Sequence, residues 1–487
     1  MKSLTYYIFV PLFLFLVSCS TIRTIPNLSK GQQYKLTKTL DHKGKDWILP
    51  ESVTLVCASK GKIKNGIIVG QSSSVENLQV VSVRFTGSFE SISISLQDDV
   101  DSLLYSITGV RVLRIFGNGH TVRSTNFGLM RDVDVYFKNV IFDCSDCKDV
   151  FFYPIGNGMC TFVIEECSFV NIPEIELLKP RNMLNPVIRG CVFNGLLNDG
   201  VRRKSTIVLN RFYGCKGNIV FENNIVQDCY GVAVNGIEYS KKDGVTVSIK
   251  NNVIKNVSNG GIVFNGGEVT NIRIENNEIS NVFCFGSQFK GEKGNAENAA
   301  INFHGFHNLH ILNNTIADCT NSLSLDLDGT ASDGTQEKGK LLVCTGNVMR
   351  NVFQSCLFGV QDAEFFGNQI EIANQPSATS AVSAITLNAC HDVHLHNNTI
   401  ILLKSKQTSA FPIIVRQNIN RTSGKINLHN NIISSDSDVY LMIYNGFTGE
   451  VDADKNTAIS TTSSVPLKWV NNSKSKGIRV KDKNVYR

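Results

Sequence analysis

Four five-residue segments of the chain share one pattern. Their first and third residues are apolar, the second varies, the fourth is polar and the fifth is Gly. They read VAVNG at 232–236, IVFNG at 262–266, INFHG at 301–305 and LDLDG at 325–329. In the last two segments, His304 and Asp328 replace the Asn of the first two. Asn302 and Asp326 precede these residues by two positions, so they share the same face of a strand. Imidazole and carboxylate groups perform general acid–base catalysis, and His304, Asp326 and Asp328 are therefore the candidate catalytic residues.

Two reactions fit these three side chains. If the segments occupy adjacent coils of a solenoid, the Cα atoms of His304 and Asp328 should lie about 5 Å apart. In a hydrolase, Asp326 and Asp328 would share the acid and base roles, because two carboxyl groups flank the bond that is cleaved. In a lyase, His304 would abstract the proton next to a uronate, and Arg416 or a calcium ion would neutralise the carboxylate.

Polar and basic residues along the same strip are candidates for substrate binding. The strip continues through ITLNA at 385–389 and IIVRQ at 413–417, and a dense basic patch lies towards its N-terminal end. The candidate binding residues are Asn235, Asn265, Asn302, Asn388, Arg416, Lys179, Arg202 and Arg203. A groove along such a strip fits an extended glycan, and basic side chains would hold an acidic one. The alternative is a solvated outer face on which polar residues happen to cluster.

Carboxylates in the same region also suggest calcium. Asp326, Asp328 and Asp333 offer the hard oxygen ligands that this ion prefers, although their spacing does not match an EF-hand loop. Calcium is therefore the one cofactor that the sequence suggests.

A repeated Asn-Asn pair indicates which elements position these residues. The pair begins at Asn223, Asn251, Asn276, Asn313, Asn397 and Asn430, and weaker copies occur at Gly346 and Gly367. The segments between the copies alternate apolar and polar residues, which is typical of strands with one buried face. Asn and Gly tolerate left-handed backbone at a corner, and stacked Asn amides can bond from coil to coil. The sequence therefore predicts an all-β protein that forms a single-stranded parallel β-helix with one repeat per coil.

From roughly residue 50 to residue 457, this repeat resembles the pectin-lyase-like family of right-handed parallel β-helices. The resemblance implies a right-handed solenoid with terminal caps, and many family members are lyases or hydrolases of polysaccharides. The family's polygalacturonase branch carries Asn-Thr-Asp, Asp-Asp, Gly-His-Gly and Arg-Ile-Lys signatures in that order, and this set does not stand here, since Asp98-Asp99 occurs without the other three. The resemblance thus leaves open two functions. The first is a carbohydrate-active enzyme that cleaves a polysaccharide containing uronic acid, and the alternative is a non-catalytic glycan-binding or structural β-helix protein of the cell envelope.

Repeat positions and composition predict one domain with covered ends. Residues 34–70 would form the N-terminal cap and first coil, residues 71–457 the β-helix, and residues 458–487 the C-terminal cap. The chain contains 14 Cys, but Cys229 and Cys319 occupy a repeat position where other copies have Val. We therefore expect these two thiols to be core residues rather than parts of disulfides or metal sites.

The first residues resemble the signal of a bacterial lipoprotein. Lys2 precedes an apolar run that is too short to span a bilayer, and Leu16-Val17-Ser18-Cys19 follows. Residues 1–19 would be a signal peptide with Cys19 as the lipidated residue, and residues 20–33 a linker. The sequence thus predicts a membrane-anchored protein of the bacterial cell envelope, on its periplasmic or surface face.

Charge and motifs argue against nucleic acid as a partner. The net charge is +6, from 48 basic and 42 acidic residues, and basic runs with interleaved aromatics are missing. Phosphate-binding Gly-rich loops and a Ser nucleophile elbow are missing as well. Polysaccharide is therefore the expected partner, together with the membrane through the N-terminal lipid.

Overall fold

The computed structural model describes the chain from residue 27 to residue 486, with internal gaps. The described ranges are 27–57, 61–123, 127–197, 207–237, 244–265, 270–282, 299–319, 321–326, 340–352, 354–372, 382–402, 410–417, 423–461 and 467–486.

Strands fall into two sheets. The small sheet has thirteen strands: β9 Gly128–Arg131, β12 Val150–Ile155, β15 Glu176–Leu178, β18 Val208–Tyr213, β21 Val232–Ile237, β24 Gly260–Asn265, β27 Ala299–His304, β30 Asn321–Asp326, β33 Gln354–Phe358, β36 Val382–Asn388, β39 Ala410–Arg416, β42 Val439–Ile443 and β44 Lys468–Asn471. The large sheet has 32 strands: β1 Gln33–Leu36, β2 Leu40–Asp41, β3 Asp46–Leu49, β4 Thr54–Cys57, β5 Lys62–Leu96, β6 Val100–Asp101, β7 Leu104–Phe116, β8 Thr121–Arg123, β10 Asp134–Lys138, β11 Ile141–Asp143, β13 Thr161–Glu165, β14 Ser168–Ile172, β16 Leu184–Arg189, β17 Val192–Gly195, β19 Asn218–Glu222, β20 Ile225–Cys229, β22 Thr246–Lys250, β23 Val253–Val257, β25 Thr270–Glu275, β26 Glu278–Val282, β28 His307–Leu312, β29 Thr315–Ala317, β31 Lys340–Thr345, β32 Val348–Val352, β34 Gln361–Phe366, β35 Gln369–Ile372, β37 His391–His396, β38 Thr399–Leu402, β40 Lys425–His429, β41 Ile432–Ser435, β43 Glu450–Ser460 and β45 Ile478–Tyr486.

Every strand pairs in parallel with its counterpart about one coil away, and the described residues contain no helix. This arrangement confirms the predicted parallel β-helix. One inward column shows how the core is built, because each member lies next to the corresponding residue of the following coil. Its members are Ile219, Val247, Ile272, Leu309, Leu342, Ala363, Val393, Ile426 and Val451, all of them buried.

The two residues of each Asn-Asn pair have different structural roles. The first turns the corner in left-handed backbone, with φ of 56° at Asn223, 54° at Asn251 and 54° at Asn313, and Gly346 takes this position with φ of 68°. The second Asn is buried and bonds from coil to coil, and we call this column the amide ladder. Its members are Asn224, Asn252, Asn277, Asn314, Asn347, Asn368, Asn398, Asn431 and Asn456.

Each ladder amide makes the same set of hydrogen bonds. Asn277 donates from its backbone N and from Nδ2 to Oδ1 of Asn314, both at 2.9 Å, and its Nδ2 also donates to the carbonyl of Ile249. A net bond of this kind stabilises the fold by about 1 kcal/mol, and an unpaired buried partner would cost more. The ladder therefore fixes the register of one coil on the next.

Charged residues form a second regular column, on the outer face of the large sheet. We call it the charge ladder, and its members alternate in sign through Lys138, Glu165, Arg189, Glu222, Lys250 and Glu275. Arg189 lies 3.8 Å from Glu165 and 3.9 Å from Glu222, and Lys250 lies 3.5 Å from Glu275. Three cations face three carboxylates, so this column is neutral.

Cysteines occupy the core, as predicted. Cys229 pairs in register with Val257, which pairs with Val282, and both Cys229 and Cys319 are 1% exposed. Burial raises the pKa of the Cys229 thiol. Eleven cysteines whose side chains the structure describes are free thiols.

Parallel pairing extends beyond the limits that the repeats suggested. β1 pairs with β4, and β2, β3 and β4 each pair with β5, so residues 34–70 contribute coils of their own. At the other end, β44 pairs with β42 and β45 pairs with β43. Both predicted caps are thus built partly from the same parallel strands as the rest of the solenoid.

Candidate functional site

His304 lies next to an aspartate of the following coil, and that aspartate is Asp326. β27 and β30 pair so that His304 aligns with Asp326, and on the other side Asn265 of β24 aligns with His304. The expected alignment of His304 with Asp328 is therefore wrong by two residues. A shift of two keeps every side chain on the same face, so the apolar–polar pattern could not detect it. Asp328 and Asp333 lie outside the described residues.

Because the register differs by two residues, the predicted strip of polar residues forms two columns instead of one. Asn235 aligns with Val263, and Val263 aligns with Asn302, so both Asn residues lie one pleat away from the His304 column. Asn388 and Arg416 belong to the His304 column. In this column, Asp326 is followed coil by coil by Phe358, Asn388 and Arg416.

Burial limits what the middle of this strip can bind. Asn235 is 5% exposed, Asn302 0% and Asn388 9%. Asn235 donates from Nδ2 to the carbonyl of Val263 at 3.0 Å, which is a structural bond between coils. Arg416 is exposed and His304 is half-buried. Direct substrate contact by the three buried Asn residues stays a prediction, and the structure gives them a packing role.

A different group of side chains gathers near the N-terminal end of the small sheet. We call it the cation–tyrosine cluster. Its members are Tyr153, Glu176, Lys179, Arg181, Arg211 and Tyr213. They lie on or just after β12, β15 and β18, which are successive strands of the small sheet.

One carboxylate of the cluster is shared between two cations. Lys179 Nζ lies 2.7 Å from Glu176 Oε2, and Arg211 Nη1 lies 2.9 Å from Glu176 Oε1. The three side chains are only 17–20% exposed. Among the described residues, the buried Nε of Arg211 finds no hydrogen-bond acceptor. One N–H group of this guanidinium is therefore buried without an acceptor, which is costly.

The two tyrosines contact the remaining cations. Arg181 Nη1 donates to the Tyr153 hydroxyl at 3.3 Å, and the Arg181 guanidinium stacks 4.3 Å from the centre of the Tyr213 ring. Lys179 Nζ lies 5.0 Å from the centre of the Tyr153 ring. These cation–π contacts hold the charges in place. The six members of the cluster include three cations and one carboxylate, so cations outnumber carboxylates among them.

A groove lies farther towards the N-terminal end of the solenoid than the cluster. Arg131 aligns with Ile155, which aligns with Arg181, so Arg131 and Arg181 belong to one outward column. Arg131 lines an open groove of 770 Å³ together with Arg111, Glu90 and Asp132. The face is open here, since Leu129 is 53% and the groove residue Met159 77% exposed.

Sequence reasoning identified part of this cluster. Lys179 was among the predicted binding residues, whereas Arg202 and Arg203 lie outside the described residues. Tyr153, Glu176, Arg211 and Tyr213 were missed because their strands lack the polar–Gly ending of the repeated segments. The number of residues between each strand and its Asn-Asn corner, and not the last residues of the strand, is the signal that would have placed Arg211 beside Asn235.

Comparisons with known proteins add little. No family model matches the chain, and no curated protein matches it. Among solved structures, the chain is similar to the alginate lyase AlyF-OU02 in complex with G6, at 11% identity and a TM-score of 0.21, over 96% of this chain and 86% of that one. A likeness with so low a TM-score carries no argument about this protein.

Membrane-spanning helices and preformed groups of metal ligands are both missing from the described residues. None of their elements is a helix with the length and apolar character needed to cross a membrane. No three His, Cys, Asp or Glu side chains in that part of the chain already stand close enough together to hold a metal ion.

Proposed function

We propose that this protein binds an acidic polysaccharide on the outer face of the small sheet and cleaves it by β-elimination. The observation that carries the proposal is the excess of cations over carboxylates among the members of the cation–tyrosine cluster, next to the Tyr153 hydroxyl, with an open groove farther towards the N-terminal end. Partly buried cations need anionic partners, and a uronate carboxylate is one that Arg binds in a bidentate manner.

Elimination requires a bound carboxylate, a base and a proton for the leaving group. Arg211 and Lys179 would hold the uronate carboxylate and stabilise the negative charge that develops on it. The Tyr153 oxygen would take the proton from the carbon next to the carboxylate. The electron pair then forms the new carbon–carbon double bond as the bond to the glycosidic oxygen breaks. That oxygen takes the original hydroxyl proton of Tyr153, so the tyrosine ends the step with one proton, as it began.

Hydrolysis fits this cluster less well. A glycoside hydrolase uses two carboxyl groups on opposite sides of the scissile bond. Glu176 is the one carboxylate of the cluster, and both of its oxygens are occupied by Lys179 and Arg211. A hydrolytic centre would therefore have to lie elsewhere, and Asp326 with Asp328 is the carboxylate pair that the sequence offers for it.

The test is incubation of the full chain with a panel of uronic-acid and neutral polysaccharides. Ultraviolet absorbance of unsaturated products and a reducing-end assay are followed together. Elimination raises both signals on uronate polymers alone. New reducing ends without the absorbance would refute elimination in favour of hydrolysis. Tight binding of acidic polymers with neither signal would leave a non-catalytic glycan-binding protein.

Lipid anchoring at Cys19 is part of the same proposal, because it would hold the enzyme at the cell envelope. In Cys19→Ala, the protein should leave the membrane fraction or persist as a larger precursor. The measurement is fractionation followed by mass spectrometry of the N-terminal peptide. Unchanged size and unchanged membrane association in the variant would exclude a lipid at this residue.

A further inference from the structure

One histidine is enclosed in the N-terminal coils. His42 lies at the corner between β2 and β3 and is 1% exposed. A tight turn begins there, in which the Lys45 N–H donates to the carbonyl of His42 at 3.0 Å. On the next coil Gly66 leaves room for the ring, because a Cβ at Gly66 would lie 2.4 Å from His42 Cβ and 2.8 Å from its Nδ1. The imidazole is thus enclosed between two coils, and the next histidine along the chain is His120.

The hydrogen bonds of this ring favour its neutral form. His42 Nδ1 lies 3.3 Å from the carbonyl oxygen of Lys45. A carbonyl oxygen only accepts, so Nδ1 carries the proton and Nε2 carries the lone pair. Nε2 is buried and has no hydrogen-bond partner among the described residues. Protonation would create a buried, charged N–H group without an acceptor, which is costly.

Trp47 shows that this part of the interior has no spare acceptor. Its ring centre lies 5.3 Å from that of His42, and it is 2% exposed. Within the described part of the chain, the buried Trp47 Nε1–H also lacks a partner. Burial lowers the pKa of His42 below its usual value, and the Lys45 carbonyl and the Asp41 charge offset this shift only in part.

The charged groups around this corner are exposed or half-buried. They are Asp41 on β2, Lys43 and Lys45 in the turn, Asp46 on β3, and Lys62 and Lys64 on β5. Carboxyl groups and amines ordinarily titrate outside the range from about pH 5 to about pH 7, whereas imidazole titrates within it. His42 is therefore the group of these coils that responds to mild acid.

We propose that His42 is an acid-sensitive latch, whose protonation releases β2 and β3 from β5. These two strands pair with Ile63–Lys64 and Ile67–Gly70 of β5, and their release would uncover the apolar end of the core. In the released state the ring takes up a proton at its ordinary pKa of 6.5, whereas the enclosed ring does so only at lower pH. The paired state is therefore most stable above that pH and loses stability as the pH falls below it.

Hydrogen exchange of the full chain at about pH 7.5 and about pH 5.5 tests the latch, after correction for the intrinsic effect of pH on exchange. Opening of a peptide that spans residues 33–49 should increase severalfold at the lower pH, with a limit of about tenfold at one pH unit below the ordinary pKa. A peptide that spans β22 and β23 contains no histidine and should not change.

Two variants assign the response to one ring. His42→Phe keeps a planar ring that does not titrate, so its 33–49 peptide should open equally at both pH values. His120→Gln replaces a histidine whose side chain is 36% exposed, and it should keep the full response. Circular dichroism checks the strand content of each variant.

The unaltered protein provides a second measurement if His42→Phe does not fold. Nitrogen chemical shifts of the His42 ring should show a proton on Nδ1 and a titration below pH 6.5. Titration at or above that pH would overturn the proposal. So would exchange in residues 33–49 that is independent of pH, or a folded His42→Phe variant that keeps the response.

Discussion

The charge ladder and the cation–tyrosine cluster are both rows of charged side chains on parallel strands, yet they differ in balance. The charge ladder alternates in sign over six strands and is neutral. The cluster has three cations for one glutamate, and its ion pairs are 17–20% exposed, against 23–47% for Arg189 and its two partners. Exposed pairs contribute little to stability, whereas uncompensated charge in a sheltered place is costly. The charge ladder therefore serves the scaffold, whereas the proposed function assigns the excess cations of the cluster to ligand binding.

The largest expected effect concerns two tyrosines, one in each region. Tyr153→Phe removes the hydroxyl that Arg181 contacts, and turnover of a uronate polymer should fall by about 10²–10⁴-fold, the usual contribution of acid–base catalysis. Tyr136→Phe removes a hydroxyl that lies 3.0 Å from Glu165 of the charge ladder, and turnover should stay within twofold. Initial rates at saturating substrate measure both. Equal losses of turnover in the two variants would mean that the cation–tyrosine cluster has no catalytic role that the charge ladder lacks.

A second pair compares arginines. Arg211→Ala should weaken binding of an acidic oligosaccharide by about 10- to 100-fold, since a hydrogen-bonded ion contributes roughly 1.5–3 kcal/mol. Arg189→Ala, in the charge ladder, should change it less than twofold. Titration at low and high salt is the measurement, and only the Arg211-dependent part should be lost as salt rises. Weakened binding in Arg189→Ala would mean that general surface charge attracts the polymer.

The amide ladder extends the comparison to a polar row inside the solenoid. Asn314→Ala removes the acceptor of both Asn277 donors, and the free energy of unfolding should drop by about 2–3 kcal/mol. Asn313→Gly keeps the left-handed corner, where φ is 54°, and should cost less than about 1 kcal/mol. Urea unfolding measures both values. A larger loss in Asn313→Gly would assign the main role to the corner residue.

The smallest expected effect tests the other candidate centre. If the cluster performs the chemistry, His304→Ala should reduce turnover less than tenfold, below the usual contribution of a general acid or base. Asp326→Asn should behave in the same way. A loss of a hundredfold or more in either variant would transfer the chemistry to the pair that β27 and β30 bring together.

The fold could be predicted because its signal is repeated at every coil. A single pair such as Asn223 and Asn224 does not predict a fold. Six strong copies of the pair predict both the corner position and the buried position next to it. The site could be predicted only in part, because the chemistry of one coil is not repeated in the next. Asp326 was recognised but aligned two residues away from its true neighbour, since the period of two allows that slip. Arg211 contacts Glu176, 35 residues away along the chain, and no local pattern encodes that contact.

The amide ladder has a direction. Each Asn gives both of its donors to the next residue along the column and receives those of the previous one. At the end, Asn456 gives both to Asp482 Oδ1, at 3.1 Å and 2.8 Å. The Asp482 carboxylate accepts these bonds and has no N–H to pass on, so it terminates the series. A coil that carries one ladder Asn could therefore be added or removed between any two others without stranding an amide. The same is not true of the last coil, whose loss would leave the donors of Asn456 without their acceptor.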